Sequence, residues 1–156
     1  MQTKKSIKSV LKNRKAYHDY IVQDNIEAGI VLKGTEVKSV RLGNVNLNDS
    51  FCLINDKLEA ELVNFYIAPY THGNRFNHDP LRKKKLLLHR KQIWKLRSSI
   101  NEKGLTLVPL SLYFKADYLK ISLGVCKGKK LHDKREALKK RDQQKEMQSI
   151  KKNLTS

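Results

Sequence analysis

The stretch "LTLVPLSLYFKADYLKISLGVC" spans residues 105–126 and decides the fold. Two runs rich in Leu, Val, Ile, Tyr and Phe lie on either side of the short polar segment 115–117. Such a pair of runs around a turn is typical of a β-hairpin. The sequence therefore predicts two antiparallel strands, at residues 105–114 and 118–126.

Further strand-like runs precede this hairpin. Residues 45–54 and 58–67 flank "NDK", a turn signal, and predict a second hairpin. Shorter runs rich in β-forming residues are found at residues 17–23, 28–32 and 84–88.

Two short helices are predicted between the strands. Residues 34–42 and 90–103 have apolar residues at helical spacing, and Gly43 and Gly104 follow them as stop signals. Residues 69–80 are rich in Asn, Gly and His and predict a loop. About six strands with flanking short helices favour a mainly β protein, an antiparallel barrel of the OB-fold type, which closes its sheet edges and presents faces to nucleic acid.

The charge of the chain indicates a polyanionic partner. Its 156 residues carry a net charge of +18, with a pI near 10.0. A charge of this size repels itself and is typical of nucleic-acid binding. No apolar run approaches the ~20 residues that span a bilayer, and the N-terminus lacks the apolar core of a signal peptide. We therefore expect a cytoplasmic protein with no membrane partner, in which Cys52 and Cys126 are reduced, buried thiols.

Three basic clusters border strand-like runs, at residues 12–15, 82–85 and 127–130. One such cluster is readily explained as a solvated strand end, but three that converge on one face would form a nucleic-acid footprint. No recognition-helix or zinc-finger pattern is present, so duplex DNA is not expected as a partner. Side chains beside the clusters could stack on the unpaired bases of folded RNA, although aromatic residues more often belong to a core. They are Tyr17, His18, His89 and Trp94.

The sequence gives little support to a catalytic or metal centre. His72 and His78 share one loop, but no Cys lies near them at zinc-ligand spacing. His18 and Asp19 are adjacent in a predicted strand and would point to opposite faces. There is no phosphate-binding Gly-rich loop and no cluster of carboxylates. We predict no catalytic residue, no metal and no cofactor.

The C-terminal tail is a separate, basic segment. Residues 127–156 hold 11 of the 33 Lys and Arg residues and few apolar ones, with no continuous apolar stripe. The composition favours a tail that is disordered alone and helical against a polyanion, and a merely solubilising tail is the alternative. The predicted organisation is a flexible N-terminus (residues 1–12), a barrel (13–130) and the tail (131–156).

Six blocks of sequence, in order, resemble the SsrA-binding protein family, small protein B. The resemblance covers residues 13–135 and implies an OB-type barrel in a cytoplasmic bacterial protein without enzymatic activity. The blocks are "NRKAYHDY", "EAGIVLKGTEVKSVR", "NHDP", "RKKKLLLH", "KGLTLVPL" and "KGKKLHDKR".

The resemblance implies binding to the tRNA-like domain of transfer-messenger RNA. Members of the family help elongation factor Tu deliver this alanine-charged RNA to stalled ribosomes. Glu27 in this basic setting either accepts hydrogen bonds from base edges or ribose hydroxyls, or orders a neighbouring Arg. Matched by motif, the RNA-facing residues are Asn13, Arg14, His18, Glu27, Leu87, His89, Lys120, Lys127, Lys129 and Lys130.

For the tail, the resemblance implies a helix in the empty mRNA channel of the ribosome. His132, Asp133, Lys134 and Arg135 would then lie near the decoding centre. A helix with charge on all sides suits a tunnel lined with phosphate. Two alternatives remain: a general RNA-binding ribosomal protein or RNA chaperone, and a small nuclease or RNA-modifying enzyme that uses His18 or His89.

Overall fold

A ring of six antiparallel strands with short flanking helices forms the body in the computed structural model, which describes residues 7–72, 77–129 and 141. The helices are α1 (Arg14–Asp19), α2 (Gly34–Arg41) and α3 (Arg90–Lys103). The strands are β1 (Ile7–Lys12), β2 (Tyr20–Ile30), β3 (Val45–Asn46), β4 (Phe51–Ile54), β5 (Ala60–Val63), β6 (Tyr66–Ile67), β7 (Lys84–Leu87), β8 (Thr106–Lys115) and β9 (Tyr118–Gly128).

The hairpin of β8 and β9 closes the ring. The strand order is β8, β4, β5, β7, β2 and β9, and the pairing of β9 with β8 joins the two ends. Closure satisfies the backbone hydrogen bonds that an open sheet leaves at its edges. The predicted mainly β fold with short flanking helices is thereby confirmed.

The main core fills the inside of this ring. Leu107 and Leu112 of β8 face inward together with Ile121 and Leu123 of β9. The two β8 residues are an odd number of positions apart because a β-bulge lies between them. All four are at most 1% exposed. Removal of such side chains from water is the main favourable term in folding.

A second, smaller core lies on the outer side of the β8–β9 hairpin, under α1. There Ala16 of α1 packs with Val108, Leu110 and Cys126. A β-bulge between Pro109 and Ser111 shifts the alternation of β8 at this point. Leu110 lies across Gly124, where a Cβ atom would stand only 2.8 Å from Leu110 Cδ1. Glycine at 124 thus leaves the space that lets α1 dock on the outer face.

The prediction of a strand over residues 17–23 is wrong for its first three residues. They belong to α1, and β2 begins at Tyr20. Asn13 explains the difference, because its side-chain oxygen accepts a hydrogen bond from the N–H of Ala16 at 3.2 Å and caps the helix. From Tyr20, β2 runs without interruption through the position where the sequence predicted a gap between two strands.

The prediction of a flexible segment over residues 1–12 is also wrong for residues 7–12, which form β1. This strand pairs with the second half of β8, from Lys115 to Ser111, while Leu107 near the start of β8 pairs with β4. Val10 and Leu11 pack against the main core, and this burial fixes the strand.

The predicted long strands at residues 45–54 and 58–67 are each broken in two. Asp49 and Asn64 have positive φ angles of 63° and 61°, values that end a strand. As a result β4 pairs with β5 across the turn at residues 55–59, while β3 and β6 form a separate two-stranded sheet.

The two predicted helices and the two buried thiols are confirmed. Both predicted helices are present as α2 and α3, and Gly104 after α3 has a left-handed φ of 63°. Cys52 and Cys126 are free and buried. Within the described ranges, no helix is long and apolar enough to cross a membrane. The predicted tail helix lies outside the described residues.

Candidate nucleic-acid interface

Four side-by-side positions form a row across the outer face of the ring. Leu87 of β7 pairs with Gly29 of β2, Gly29 with Lys120 of β9, and Lys120 with Tyr113 of β8. Directly opposed residues of antiparallel strands point to the same face. We call these four residues the outer row. Their neighbours in sequence point into the core: Leu86, Ala28, Ile121 and Leu112.

The glycine in the outer row shapes the surface. A Cβ atom at Gly29 would stand 3.2 Å from the Cβ of Leu87, a tight contact, so glycine lets the leucine side chain lie flat over β2. Leu87 is nevertheless 54% exposed. The result is a shallow apolar surface beside the Lys120 ammonium, a combination that suits a ribose or base next to a phosphate.

Glu27 lies next to the outer row and holds a fixed position. Its Oε2 accepts a hydrogen bond from the hydroxyl of Tyr113 at 2.5 Å, and its Oε1 lies 3.5 Å from Nζ of Lys115. The hydrogen bond from Tyr113 is the largest influence that lowers the pKa of Glu27, with help from the charges of Lys115 and Lys120 and against partial burial. Glu27 is thus an ionised carboxylate held by a Tyr and a Lys, where the sequence analysis suggested an Arg.

Helix α1 and the end of β9 meet although their residues are far apart in sequence. Nζ of Lys129 donates to the carbonyl of Tyr17 at 3.1 Å, and the backbone N–H of Lys129 donates to the carbonyl of Asp19 at 3.0 Å. Two of the three predicted basic clusters therefore converge. We call the resulting surface the α1 patch: Arg14, Tyr17, His18 and Lys129. Lys127 pairs with Ile21 of β2 and, seven residues from Lys120 along β9, points to the other face of that strand.

A cleft of about 650 Å³ opens at the α1 patch. Lys12 places its ammonium 5.2 Å from the ring centre of Tyr17, and Lys15 forms an exposed ion pair with Asp49 at 2.7 Å. Concentrated positive charge around an aromatic ring suits a phosphate and a stacked base. The cleft is lined by Lys12, Arg14, Lys15, Tyr17, His18 and Arg141.

His18 and Asp19 contact each other, contrary to the prediction that they would point apart. Both lie in the last turn of α1, and Nδ1 of His18 is 2.9 Å from Oδ1 of Asp19. The prediction failed because it assumed strand geometry. The contact orients the imidazole ring, which is 30% exposed, toward the α1 patch.

Asn13 does not face the solvent. It is 3% exposed, and its amide group donates to the carbonyl of Pro109 at 2.8 Å while its oxygen caps α1. The prediction of an RNA-facing Asn13 is therefore corrected. Asn13 acts indirectly, because it fixes the helix that carries Arg14 and His18.

Two of the four residues in the basic cluster at residues 82–85, Arg82 and Lys84, stabilise the fold. Lys84 is fully buried, and its Nζ donates to the carbonyls of Phe65 at 2.5 Å and Pro80 at 3.3 Å. Arg82 pairs with buried Glu36, at 2.5 Å between Nη2 and Oε1. Burial alone would raise the pKa of Glu36, but the bonds from Arg82 and from the backbone lower it. Arg82 and Lys84 thus anchor the loop before β7, whereas exposed Lys85 lies on the same outer face as Leu87.

Lys84 gives a pH-dependent prediction. Burial lowers its pKa to about 8, from 10.5 for an exposed lysine. Between these values the unfolded chain binds a proton that the folded chain has released, so the free energy of unfolding rises with pH. Relative to a Lys84→Met variant, the wild type should gain about 2 kcal/mol between about pH 7 and pH 10.5, measured by urea denaturation. Substitution of exposed Lys83 by Met is the control, and a pH-independent difference for Lys84→Met would contradict the prediction.

Two further histidines, His78 and His89, and Trp94 lie outside the α1 patch. Both ring nitrogens of buried His78 are engaged, by the Thr35 hydroxyl and the Ile67 carbonyl, each at 2.9 Å. His89 is exposed and precedes α3, close in sequence to Leu87. Trp94 is 52% exposed on α3 and lies outside the core clusters of the described residues.

Sequence reasoning missed Tyr113 and Lys115. Both alternate along β8 with the core residues Leu112 and Phe114, and this alternation was a usable signal. The partner of Tyr113, Glu27, could not be found from sequence because the pairing joins distant strands. Lys130 and the tail residues His132, Asp133, Lys134 and Arg135 lie outside the described residues.

Comparison with known protein families shows the family to which the chain belongs. The family model described as SmpB protein matches residues 10–153. The chain belongs to the SmpB family. The matched region includes the outer row, Glu27 and the α1 patch.

Relatives within the SmpB family are similar over nearly their whole length. An SsrA-binding protein of Carboxydothermus hydrogenoformans is 57% identical over 141 residues, which cover 90% of this chain and 94% of the relative. An SsrA-binding protein of Geobacillus kaustophilus is 54% identical and covers 90% of each chain. A solved structure described as tmRNA–SmpB on a journey to the center of the bacterial ribosome matches with a TM-score of 0.66 and 49% identity, over 82% of this chain and 93% of that one.

Proposed function

We propose that this SmpB family protein binds the tRNA-like domain of transfer-messenger RNA and acts with it on stalled ribosomes in trans-translation. The observation that carries the proposal is the placement of the α1 patch and the outer row on one outer face. Helix α1 docks on the outer side of the β8–β9 hairpin, the same side on which the outer row lies. Along β9, Lys120 and Cys126, which packs under α1, are about 20 Å apart at ~3.3 Å per residue, a span suited to a folded RNA.

The two surfaces have different tasks in this proposal. The α1 patch supplies cations and an oriented imidazole for phosphates, which fix position but read no sequence. The outer row and Glu27 supply an apolar surface, one ammonium and one fixed acceptor, which together select the RNA. His89 borders the outer row and extends it.

The tail has a separate task. Residues 131–156 act in the empty mRNA channel, where His132, Asp133, Lys134 and Arg135 lie near the decoding centre and report the absence of a codon. Elongation factor Tu delivers the complex. The protein works in the cytoplasm as an RNA-binding factor without catalysis of its own.

A binding titration of the full chain tests the proposal. The Kd is measured for transfer-messenger RNA, an elongator tRNA and a random RNA of equal length at several salt concentrations. We expect transfer-messenger RNA to bind more tightly than random RNA by at least about tenfold, or ~1.4 kcal/mol, and the preference to persist as salt weakens the phosphate contacts on all three. The net charge of +18 favours the alternative of a general RNA-binding protein or chaperone. Equal affinity for the three RNAs would support that alternative.

A further inference from the structure

Tyr113 is the residue of the outer face whose role remains to be explained. It lies in the outer row opposite Lys120, and its hydroxyl donates to Oε2 of Glu27 at 2.5 Å. The two residues come from β8 and β2, which are separated in the ring by β9. The hydrogen bond therefore spans three strands of the surface that we assign to RNA.

A carboxylate on an RNA-binding surface needs a fixed place. Glu27 repels phosphates, and it contributes to affinity only if an RNA donor, such as a ribose hydroxyl or a base N–H, meets its oxygens. A freely rotating Glu would lose side-chain entropy on binding, which weakens the affinity. Tyr113 occupies one oxygen and orients the other, Oε1, which has only a long contact of 3.5 Å with Lys115.

We propose that Tyr113 is a specificity-determining positioning residue: it holds Glu27 so that the second carboxylate oxygen, Oε1, accepts a hydrogen bond from a ribose or base donor of the bound RNA. This inference rests on the proposed function. In this inference, Tyr113 contributes to the preference for a folded RNA over an RNA that is bound only through its phosphates.

The test compares Tyr113→Phe with the wild type in the full chain. The substitution removes one oxygen and no charge, so the salt dependence of binding stays unchanged. We expect affinity for transfer-messenger RNA to fall about fivefold, with no change in affinity for random RNA of equal length. Tyr118→Phe, at a tyrosine that is 72% exposed at the start of β9, is the matched control and should bind as the wild type does.

A double-mutant cycle separates positioning from a direct contact. If Tyr113 acts through Glu27, Tyr113→Phe has no further effect in a Glu27→Ala background. The proposal would be overturned if the losses of affinity from Tyr113→Phe and Glu27→Ala were additive. It would also be overturned if Tyr113→Phe weakened binding of both RNAs equally or weakened binding of neither. If the wild type showed no preference for transfer-messenger RNA over random RNA, the proposed function itself would be contradicted. Failure of the proposed function and failure of the role of Tyr113 are therefore distinguishable.

A measurement on the free protein checks the hydrogen bond itself. The charged and titratable groups that face Glu27 are Tyr113 and Lys115 from β8 and Lys120 from β9. In a carbon-13 NMR titration, the pKa of the Glu27 carboxyl in the wild type should lie below the ordinary value of a glutamate, and Tyr113→Phe should raise it. An ordinary midpoint in the wild type would show that the bond is not formed in solution and would overturn the proposal, even if the variant failed to fold.

Discussion

Replacement of Asp133, Lys134 and Arg135 by alanine should reduce tagging of proteins on stalled ribosomes by at least about a hundredfold, or ~2.7 kcal/mol. The Kd for transfer-messenger RNA should stay within about twofold of the wild-type value, because the proposal assigns these three side chains to the ribosome and their loss lowers the net charge by only one. The expectation follows from the proposed division of labour between the ring and the tail. Tagging is measured in a reconstituted translation system with a truncated message, and the Kd in a separate titration.

A matched control distinguishes position from charge. Replacement of Asp142, Lys145 and Lys151 by alanine removes the same charges from the same tail, one acidic and two basic. This variant should keep most of the tagging activity if residues 133–135 act at a defined place. Equal loss in both variants would indicate a generic polycation, and a parallel loss of RNA affinity would contradict the division into ring and tail.

Replacement of Glu27 by lysine should weaken binding of transfer-messenger RNA about thirtyfold, or ~2 kcal/mol, although the net charge rises by two. Loss of an acceptor leaves a donor of the RNA unpaired, at a cost of about 1–3 kcal/mol. The added attraction to phosphate across water is worth only about 1 kcal/mol at contact distance and is reduced by salt. The specific loss therefore exceeds the electrostatic gain for the correct RNA.

For random RNA, the Glu27→Lys substitution should change the affinity in the opposite direction. There the carboxylate has no defined donor to accept from, so the Glu27→Lys variant should bind random RNA more tightly than the wild type. Glu102→Lys, at an exposed position on α3, makes the same charge change elsewhere and should strengthen binding to both RNAs slightly. A rise in affinity for transfer-messenger RNA in the Glu27→Lys variant would mean that Glu27 makes no specific contact.

The residues that were predicted to face RNA show how far sequence reasoning reaches. Leu87 and Lys120 were assigned to one face by family resemblance, and the strand register places them in one row. Asn13 was assigned to the same face but is buried, because a capping side chain and an RNA-binding side chain look the same in sequence. Lys84 is a similar case, since a basic cluster does not reveal which member is buried.

The sequence alone determined the features that depend on nearby residues. Helices α2 and α3, the stop at Gly104, the hairpin of β8 and β9 and the excess of positive charge all follow from local periodicity, turn residues and composition. Tertiary structure decided which distant residues meet: the contact of Lys129 with Tyr17, the hydrogen bond of Tyr113 to Glu27 and the strand at residues 7–12. These contacts arise from ring closure, in which strands pair by burying apolar faces, and short-range sequence patterns carry no record of the partner strand.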